Sequence, residues 1–288
     1  MKYDVLALDM DGTTLSSDVT LSEENLEAIK KAIDAGITVL PATGRALSMV
    51  PKEIIEIPGI QYAITSNGAR VADVLTNETI VEIPITREDK RKAYEIFREN
   101  DVFPEIYTNG RSVVMEEQYR RLREFVPEAY WEFFDTNVHP ITIEEYEDLI
   151  ENGHVEKFNF FMRTPEIKEI VMDRLEKETT MELIRSAEGN GEANSRECSK
   201  GAALKGLCKV MGHGLGSCIA MGDSNNDVKM IEMAGLGIAV GNAMPNVKEI
   251  ADIVTVTNDE HAVAKVIDEF FLNDIIETAE ELEELKEA

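Results

Sequence analysis

Residues 3–14 read YDVLALDMDGTT, and this passage from an apolar run into Asp9-Met10-Asp11-Gly12-Thr13-Thr14 decides the fold. Tyr3–Leu8 is nearly continuous in apolar side chains rather than alternating, the pattern of a strand in a parallel sheet covered on both faces by helices. In such sheets ligands gather at the carboxyl ends of the strands, which is where Asp9 and Asp11 stand. Two aspartates at i and i+2 leaving a strand can face one cavity, and their mutual repulsion calls for a cation. A hard, oxygen-seeking ion such as Mg²⁺ satisfies that need. Asp and Gly also favour turns on conformational grounds alone, so the segment by itself admits a plain strand-to-loop turn.

Working outward, Ile37–Ala42, Tyr62–Ser66, Ser217–Met221 and Leu236–Val240 repeat the apolar pattern, with a weaker stretch at Ile253–Val256. Helical patterns lie between them. Ser22 can cap a helix whose Leu26, Ile29 and Ile33 share a face and which Gly36 ends. Ala203, Leu204, Leu207 and Cys208 repeat that spacing, as do Val263, Val266, Ile267 and Phe270. This alternation predicts a doubly wound α/β core with a parallel sheet.

Between Pro84 and Gly189 the alternation breaks. Asn109-Gly110 sits between two strand-like runs, a strong hairpin signal. A strand-like Val155–Met162 follows, and Thr164-Pro165 opens a helix with Ile167, Ile170, Val171 and Leu175 on its apolar face. Met181–Ser186 closes the segment as a further strand-like run. The expected organisation is a discontinuous core over 1–83 and 190–272, an inserted antiparallel α+β unit over 84–189, and an acidic tail over 273–288 with seven acids and one lysine.

A chain of 288 residues suits two domains better than one. With 56 acidic against 29 basic residues it carries a formal charge of −27, which repels phosphate backbones and anionic bilayers. Neither nucleic acid nor membrane is therefore expected as a partner. No apolar run reaches the roughly 18–20 residues of a membrane span. The N-terminus lacks the basic start and apolar stretch of a signal peptide, so a cytoplasmic protein is expected. Cys198, Cys208 and Cys218 lie ten apart with no C-x-x-C pair, which indicates neither a disulfide framework nor a zinc site.

Three further clusters fall where a cavity at the strand ends would need them. Thr43-Gly44, after the second strand, can offer a hydroxyl and a close backbone N–H to a phosphate. Lys200 stands at the opening of a helix, where the dipole disfavours a cation; a bound anion or a nearby carboxylate would compensate, and a solvated lysine is the plain alternative. Gly222-Asp223-Ser224-Asn225-Asn226-Asp227 crowds two carboxylates and two amides into one turn, more than helix capping needs.

The four motifs, in this order, resemble those of the haloacid dehalogenase superfamily, specifically its Cof-like subfamily, whose members carry a large α/β cap between the second and third motifs. The resemblance implies a Rossmann-like core, Mg²⁺ as cofactor and hydrolysis of phosphate esters. It implies that Asp9 is the nucleophile, for which a carboxylate needs no activating base. Asp11 would be the acid that protonates the leaving alkoxide and then the base for water, with its pKa raised by a cap that excludes water. Asp9, the backbone carbonyl of Asp11 and Asp223 would hold Mg²⁺. Thr43, Gly44, Asn226 and Lys200 would bind the phosphoryl group, and Asp227 would position Lys200 or support the metal shell. Only the lead-in Asn194–Cys198 departs from the family, lacking its usual Pro and Gly.

The expected activity is that of a phosphatase acting on small phosphorylated metabolites, sugar phosphates first and phosphorylated cofactors next. A sugar phosphomutase and a non-catalytic sensor of phosphorylated ligands are the rivals. His139, His154, His213 and His261 share no ligand spacing and read as surface or loop residues. Ser66-Asn67-Gly68-Ala69 reads as a structural turn, Arg45 as a substrate contact or a partner for a neighbouring acid, and Tyr107, Arg111 and Arg120 as candidate contacts for the leaving group.

Overall fold

Leu6 and Leu8 point to one side of the first strand and Val5 and Ala7 to the other, and both sides are buried. The protein is described by a computed structural model over residues 2–185 and 189–272. Leu6 and Leu8 pack with Ala28 and Ile29 of the helix Glu23–Asp34 and with Val263 and Val266 of the helix Ala262–Ile267. Val5 and Ala7 pack with Ala203, Leu204 and Leu207 of the helix Lys200–Met211. This two-sided cover is what the unbroken apolar run requires. Ser22 caps the first helix by accepting from the Asn25 amide at 3.3 Å, and Gly36 follows its end at φ +90°.

The core strands are β1 (Val5–Asp9), β2 (Thr38–Ala42), β3 (Tyr62–Thr65), β4 (Arg70–Asp73) and β5 (Thr79–Glu82). The insert contributes β6 (Phe103–Thr108), β7 (Arg111–Met115), β8 (Val138–Ile141), β9 (Lys157–Phe161), β10 (Glu182–Ile184) and β11 (Asn190–Asn194). The chain then returns through β12 (Cys218–Gly222), β13 (Leu236–Ala239) and β14 (Ile253–Val254). Among the described residues the core sheet runs β14-β13-β12-β1-β2-β3-β4-β5, parallel from β14 to β3, with β4 and β5 antiparallel at one edge. The architecture is α/β, a doubly wound parallel sheet with an inserted α+β unit. The strand order reverses between β1 and β12, so their carboxyl ends, Asp9 and Asp223, open the crevice where such sheets bind ligands.

The second sheet runs β10-β11-β9-β6-β7-β8. One face packs Ile106, Phe158 and Phe160 against the helices Arg87–Glu99, Ile143–Glu151 and Pro165–Glu178. Three expectations need correction. The strand Asn190–Asn194, assigned from sequence to the core, pairs with β9 and β10 in the insert's sheet, because its Ala193 completes the insert's apolar cluster. The sheet is not wholly antiparallel, since β7 and β8 pair in parallel. On the helix Pro165–Glu178 the buried stripe is Val171, Met172 and Leu175, while Ile170 is 51% exposed. The acidic tail over 273–288 lies outside the described residues.

Candidate active site

Asp9 ends β1 against β2, with Asp9 level with Ala42, and its carboxylate is almost wholly buried. The chain then makes one irregular turn, Met10–Thr14, with Gly12 at φ +81°. That turn is closed by the Thr14 hydroxyl, which donates to the Asp9 carbonyl at 2.5 Å. A Cβ on Gly12 would lie 2.9 Å from Asp223 Oδ2, so glycine lets the turn approach the fourth motif. Asp223 itself follows β12 and receives the Thr13 hydroxyl at 3.4 Å.

Ser199 caps the helix Lys200–Met211, and Lys200 in its first turn is fully buried. Its Nζ donates to Asp9 Oδ1 at 2.5 Å and to Asp227 Oδ1 at 2.7 Å. Nearby carboxylates, one of the two compensations expected from sequence, therefore hold this cation at the helix N-terminus. Burial would lower the Lys200 pKa, but Asp227 and Asp9 more than reverse that and keep the ammonium charged. Asp227 is fixed in turn, its Oδ2 accepting from the amides of Asp223 at 3.1 Å and Ser224 at 3.0 Å. It acts as the brace of Lys200.

One carboxylate oxygen from each of Asp9, Asp223 and Asp227 lies within 4.8 Å of the others. Burial pushes the Asp9 carboxyl well above the usual carboxylate range, against the pull of Lys200. Asp223 is raised as well, chiefly by burial and then by Asp227. Asp9 Oδ2 is buried without a hydrogen-bond partner. Three carboxylates around one ammonium leave an excess of negative charge, and an orphaned carboxylate oxygen among them is what a hard divalent cation would take up. The residues present fit Mg²⁺.

Asp9 opens into a cavity of about 940 Å³ between the two sheets, whose lining includes Thr43, Gly44 and Asn226. The sequence profile of the haloacid dehalogenase-like hydrolases matches residues 6–267. The chain belongs to that family. Phosphatase YwpJ of Bacillus subtilis is 35% identical over 292 residues, spanning 91% of this chain and 98% of its own. The 5-amino-6-(5-phospho-D-ribitylamino)uracil phosphatase YcsE of the same organism is 31% identical over 91% of this chain and 94% of its own. A solved haloacid dehalogenase-like hydrolase from B. subtilis superposes with a TM-score of 0.74 at 33% identity, covering 93% of this chain and all (100%) of that one. Another from Bacteroides thetaiotaomicron reaches 0.77 at 26% identity, covering 94% and 100%. The chain is thus a Cof-like phosphatase of the haloacid dehalogenase family.

In this phosphatase the carboxylate of Asp11 does not join the acidic cluster. It lines the cavity, is 50% exposed, and is held by Arg45. The sequence expectation of an Asp11 sealed from water is therefore not met in this arrangement of the chain. Arg45 takes the second of its two expected roles, partner to an acid. Tyr107 lines the cavity as expected, whereas Arg111 points to solvent and Arg120 pairs with Glu116 on the surface, so neither reaches it. His154, His213 and His261 pair with surface acids away from the site.

Sequence reasoning missed Asn67, Lys157 and Glu192. Asn67, at φ +62°, is no mere turn residue, since its Oδ1 accepts from Asn226 Nδ2 at 3.1 Å and its Nδ2 donates to Glu192 at 2.9 Å. A Cβ on Gly44 would meet that Oδ1 at 2.6 Å, so Gly44 also makes room for Asn67. Lys157 Nζ crosses from the insert to the Gly44 carbonyl at 2.8 Å and to Glu192 at 3.1 Å, above the ring of Tyr107. The signal was present: Glu156-Lys157 puts two charges at the entry of the strand-like run Val155–Met162. Buried charges need partners, and here Glu156 receives Ser66 Oγ at 2.6 Å and the Gly110 amide at 2.8 Å. The departing lead-in also acquires a use, because Asn194 donates to the carbonyls of Ser66 and Glu156 and ties the insert's last strand to the core.

Proposed function

We propose that this chain is a Mg²⁺-dependent phosphatase that hydrolyses small phosphorylated metabolites, sugar phosphates or phosphorylated cofactors, through an aspartyl-phosphate on Asp9. One observation carries the proposal: Asp9 lines the cavity, its Oδ1 pinned by Lys200 and its Oδ2 buried and unpartnered, with a carboxylate oxygen of Asp223 within 4.8 Å of its carboxylate. The unpartnered Oδ2 would take up the cation, and Oδ1, oriented by Lys200, is then the one that faces phosphorus.

In the proposed sequence Asp9 attacks phosphorus and the ester P–O bond breaks, the leaving oxygen taking a proton from Asp11. Water, deprotonated by Asp11, then attacks the acyl phosphate and returns Asp9 and inorganic phosphate. Lys200, Thr43, the Gly44 amide and Asn226 bind the phosphoryl oxygens and oppose the charge that develops on them. Asp9, Asp223 and the backbone carbonyl of Asp11 would hold Mg²⁺, which supplies the neutralisation that lets a carboxylate approach an anionic ester. Asp227 acts through Lys200.

The insert serves as a cap over the leaving group. Tyr107, Phe133, Leu183 and Ile184 offer apolar contact there, and Glu192 and Lys157 offer polar contact. A cavity of about 940 Å³ suits a metabolite rather than a protein. The name of YcsE, a phosphatase of a phosphoribityl pyrimidine, is consistent with this range. The test is phosphate release from glucose 6-phosphate, flavin mononucleotide and pyridoxal phosphate, with and without Mg²⁺, for the native protein and Asp9→Asn. Release that needs both Mg²⁺ and Asp9 is expected. Isomer formation without free phosphate would make the protein a mutase, and ligand-induced melting shifts without turnover would make it a sensor.

A further inference from the structure

Cys208 and Cys218 are ten residues apart and take no part in the site described above. Cys208 lies near the end of the helix Lys200–Met211, and Cys218 opens β12. The turn between them folds back so that their Sγ atoms stand 3.2 Å apart, both buried and both free thiols. The other thiol, Cys198, contacts the Asn67 carbonyl at 3.4 Å just before the start of that helix and lines the cavity. A spacing that excludes a C-x-x-C motif therefore hides a contact pair.

A disulfide needs its sulfurs at about 2.05 Å, so these two must close by only roughly 1.2 Å. We propose that Cys208 and Cys218 form an oxidative modification site, closing to an intramolecular disulfide when the protein meets hydrogen peroxide. Cys208 loses its proton to water and its thiolate attacks one peroxide oxygen. The O–O bond breaks, hydroxide leaves, and a sulfenic acid forms on Cys208. The Cys218 sulfur then attacks the Cys208 sulfur, the S–O bond breaks, and the hydroxyl departs as water with the Cys218 proton. Two thiols and one peroxide yield one disulfide and two waters, each sulfur losing one electron. The thiol of Cys208 is the apt first reactant, because its hydrogen-bonding contact with Cys218 holds its pKa below the usual value. Gly212, Gly214 and Gly216 alternate as exposed residues along the connecting turn, a thin cover for a small oxidant.

The bond would form far from the chemistry. Cys208 is eight residues along the helix from Lys200, about 12 Å at the usual helical rise. Cys218 is at the far end of the strand that leads to Asp223, about 16 Å away at the usual strand rise. Oxidation should therefore staple the helix that carries Lys200 to the strand that leads to Asp223 without occluding the cavity.

The test uses the native chain. After peroxide treatment and removal of the oxidant, the protein is unfolded, alkylated with iodoacetamide and digested with trypsin. Lys209 lies between the two cysteines, so a disulfide appears as peptide 206–209 joined to peptide 210–229, about 2 Da below the sum of the two thiol peptides. The expected result is this linked pair with Cys198 alkylated, loss of the link in Cys208→Ser, and a melting temperature raised by about 5 °C that dithiothreitol reverses. Phosphate release should be unchanged by oxidation. Recovery of Cys208 and Cys218 both alkylated, a sulfinic acid on either without a link, or Cys198 as the linked partner would overturn the proposal.

Discussion

Arg45 grips the carboxylate of Asp11 with two donors, Nε to Oδ2 at 3.0 Å and Nη2 to Oδ1 at 2.5 Å. The backbone N–H of Arg45 also donates to Thr43 Oγ1 at 3.1 Å, so one residue ties the exit of β2 to the exit of β1. A bidentate guanidinium fixes the plane of a carboxylate as a lysine cannot. In the proposed mechanism that plane sets where the Asp11 proton is delivered. Arg45→Ala should lower kcat on the order of 10²-fold with a smaller change in KM, since misplacement of about 1 Å can cost that much. Arg45→Lys should recover only part. In an Asp11→Asn background the Arg45→Ala change should cost little more, and full additivity in that double-mutant cycle would sink the positioning role.

Lys200 has a structural effect besides its proposed catalytic one. It is the cation between Asp9 and Asp227, with its own side chain and that of Asp227 wholly buried. Removing one member of a buried ionic group typically costs about 3–5 kcal/mol, because the remaining charges are left uncompensated. Lys200→Ala should therefore lose turnover with every substrate and also unfold at lower urea concentration. Adding Asp227→Asn removes one of the stranded carboxylates, so the double variant should be more stable than Lys200→Ala. If the second change destabilises further, the ammonium is not what holds these acids together.

How much of this was legible depends on what each element owes to local sequence. The parallel core strands could be read because burial on both faces leaves a run of apolar residues with no other explanation, whereas β4 and β5 at the antiparallel edge were not read, β5 being exposed or half-buried throughout. Asp9, Lys200, Asp223 and Asp227 could be placed because strand ends and a helix start dictate where their side chains go. The insert was harder to read. Asn190–Asn194 has only Ala193 as an apolar side chain, so nothing local announces a strand, and its pairing with β9 is decided by long-range contacts. Asn67 looked like a turn residue because it is one; its amide reaches Asn226 and Glu192 across gaps of 159 and 125 residues. The Arg45–Asp11 pair spans 34 residues and could be narrowed to two options, not chosen between.

Gly68 shows the same limit from the side of the backbone. The Asn67-Gly68 pair suits a turn, and Gly68 adopts φ +97°. Its second reason is spatial: a Cβ there would lie 2.2 Å from the Ser199 carbonyl oxygen and 2.6 Å from the Lys200 amide nitrogen. Those are backbone atoms at a helix start, with no rotamer to yield. Gly68→Ala should cost about 2–4 kcal/mol, more than the roughly 1 kcal/mol of an ordinary positive-φ site. Because the clash pushes on the residue before Lys200, kcat should fall as well. A variant with native kcat and native urea midpoint would show that the helix start moves freely.

Glu105 gives the insert a pH dependence whose sign can be worked out. It is 1% exposed on β6, accepts from Ser112 and from Asn159 Nδ2 at 2.6 Å, and its pKa is raised above the usual 4.5 by burial, against the pull of those hydrogen bonds. The nearby charges that act on it are Lys157, which lowers the pKa, and Glu192, which raises it. A carboxyl with a raised folded pKa keeps its proton more tightly in the folded state. Its contribution to stability is complete below about 4.5, where both states are protonated, and is lost as pH rises through the folded value. Glu105→Gln is neutral at every pH and similar in shape. The stability of the native protein relative to that variant should therefore decline as the pH rises above about 4.5, by about 1.4 kcal/mol for each unit that the folded pKa is raised. Urea unfolding of both proteins at several pH values measures this directly; a difference that stays constant would mean that Asn159 and Ser112 offset burial fully, and one that grows with pH that they outweigh it.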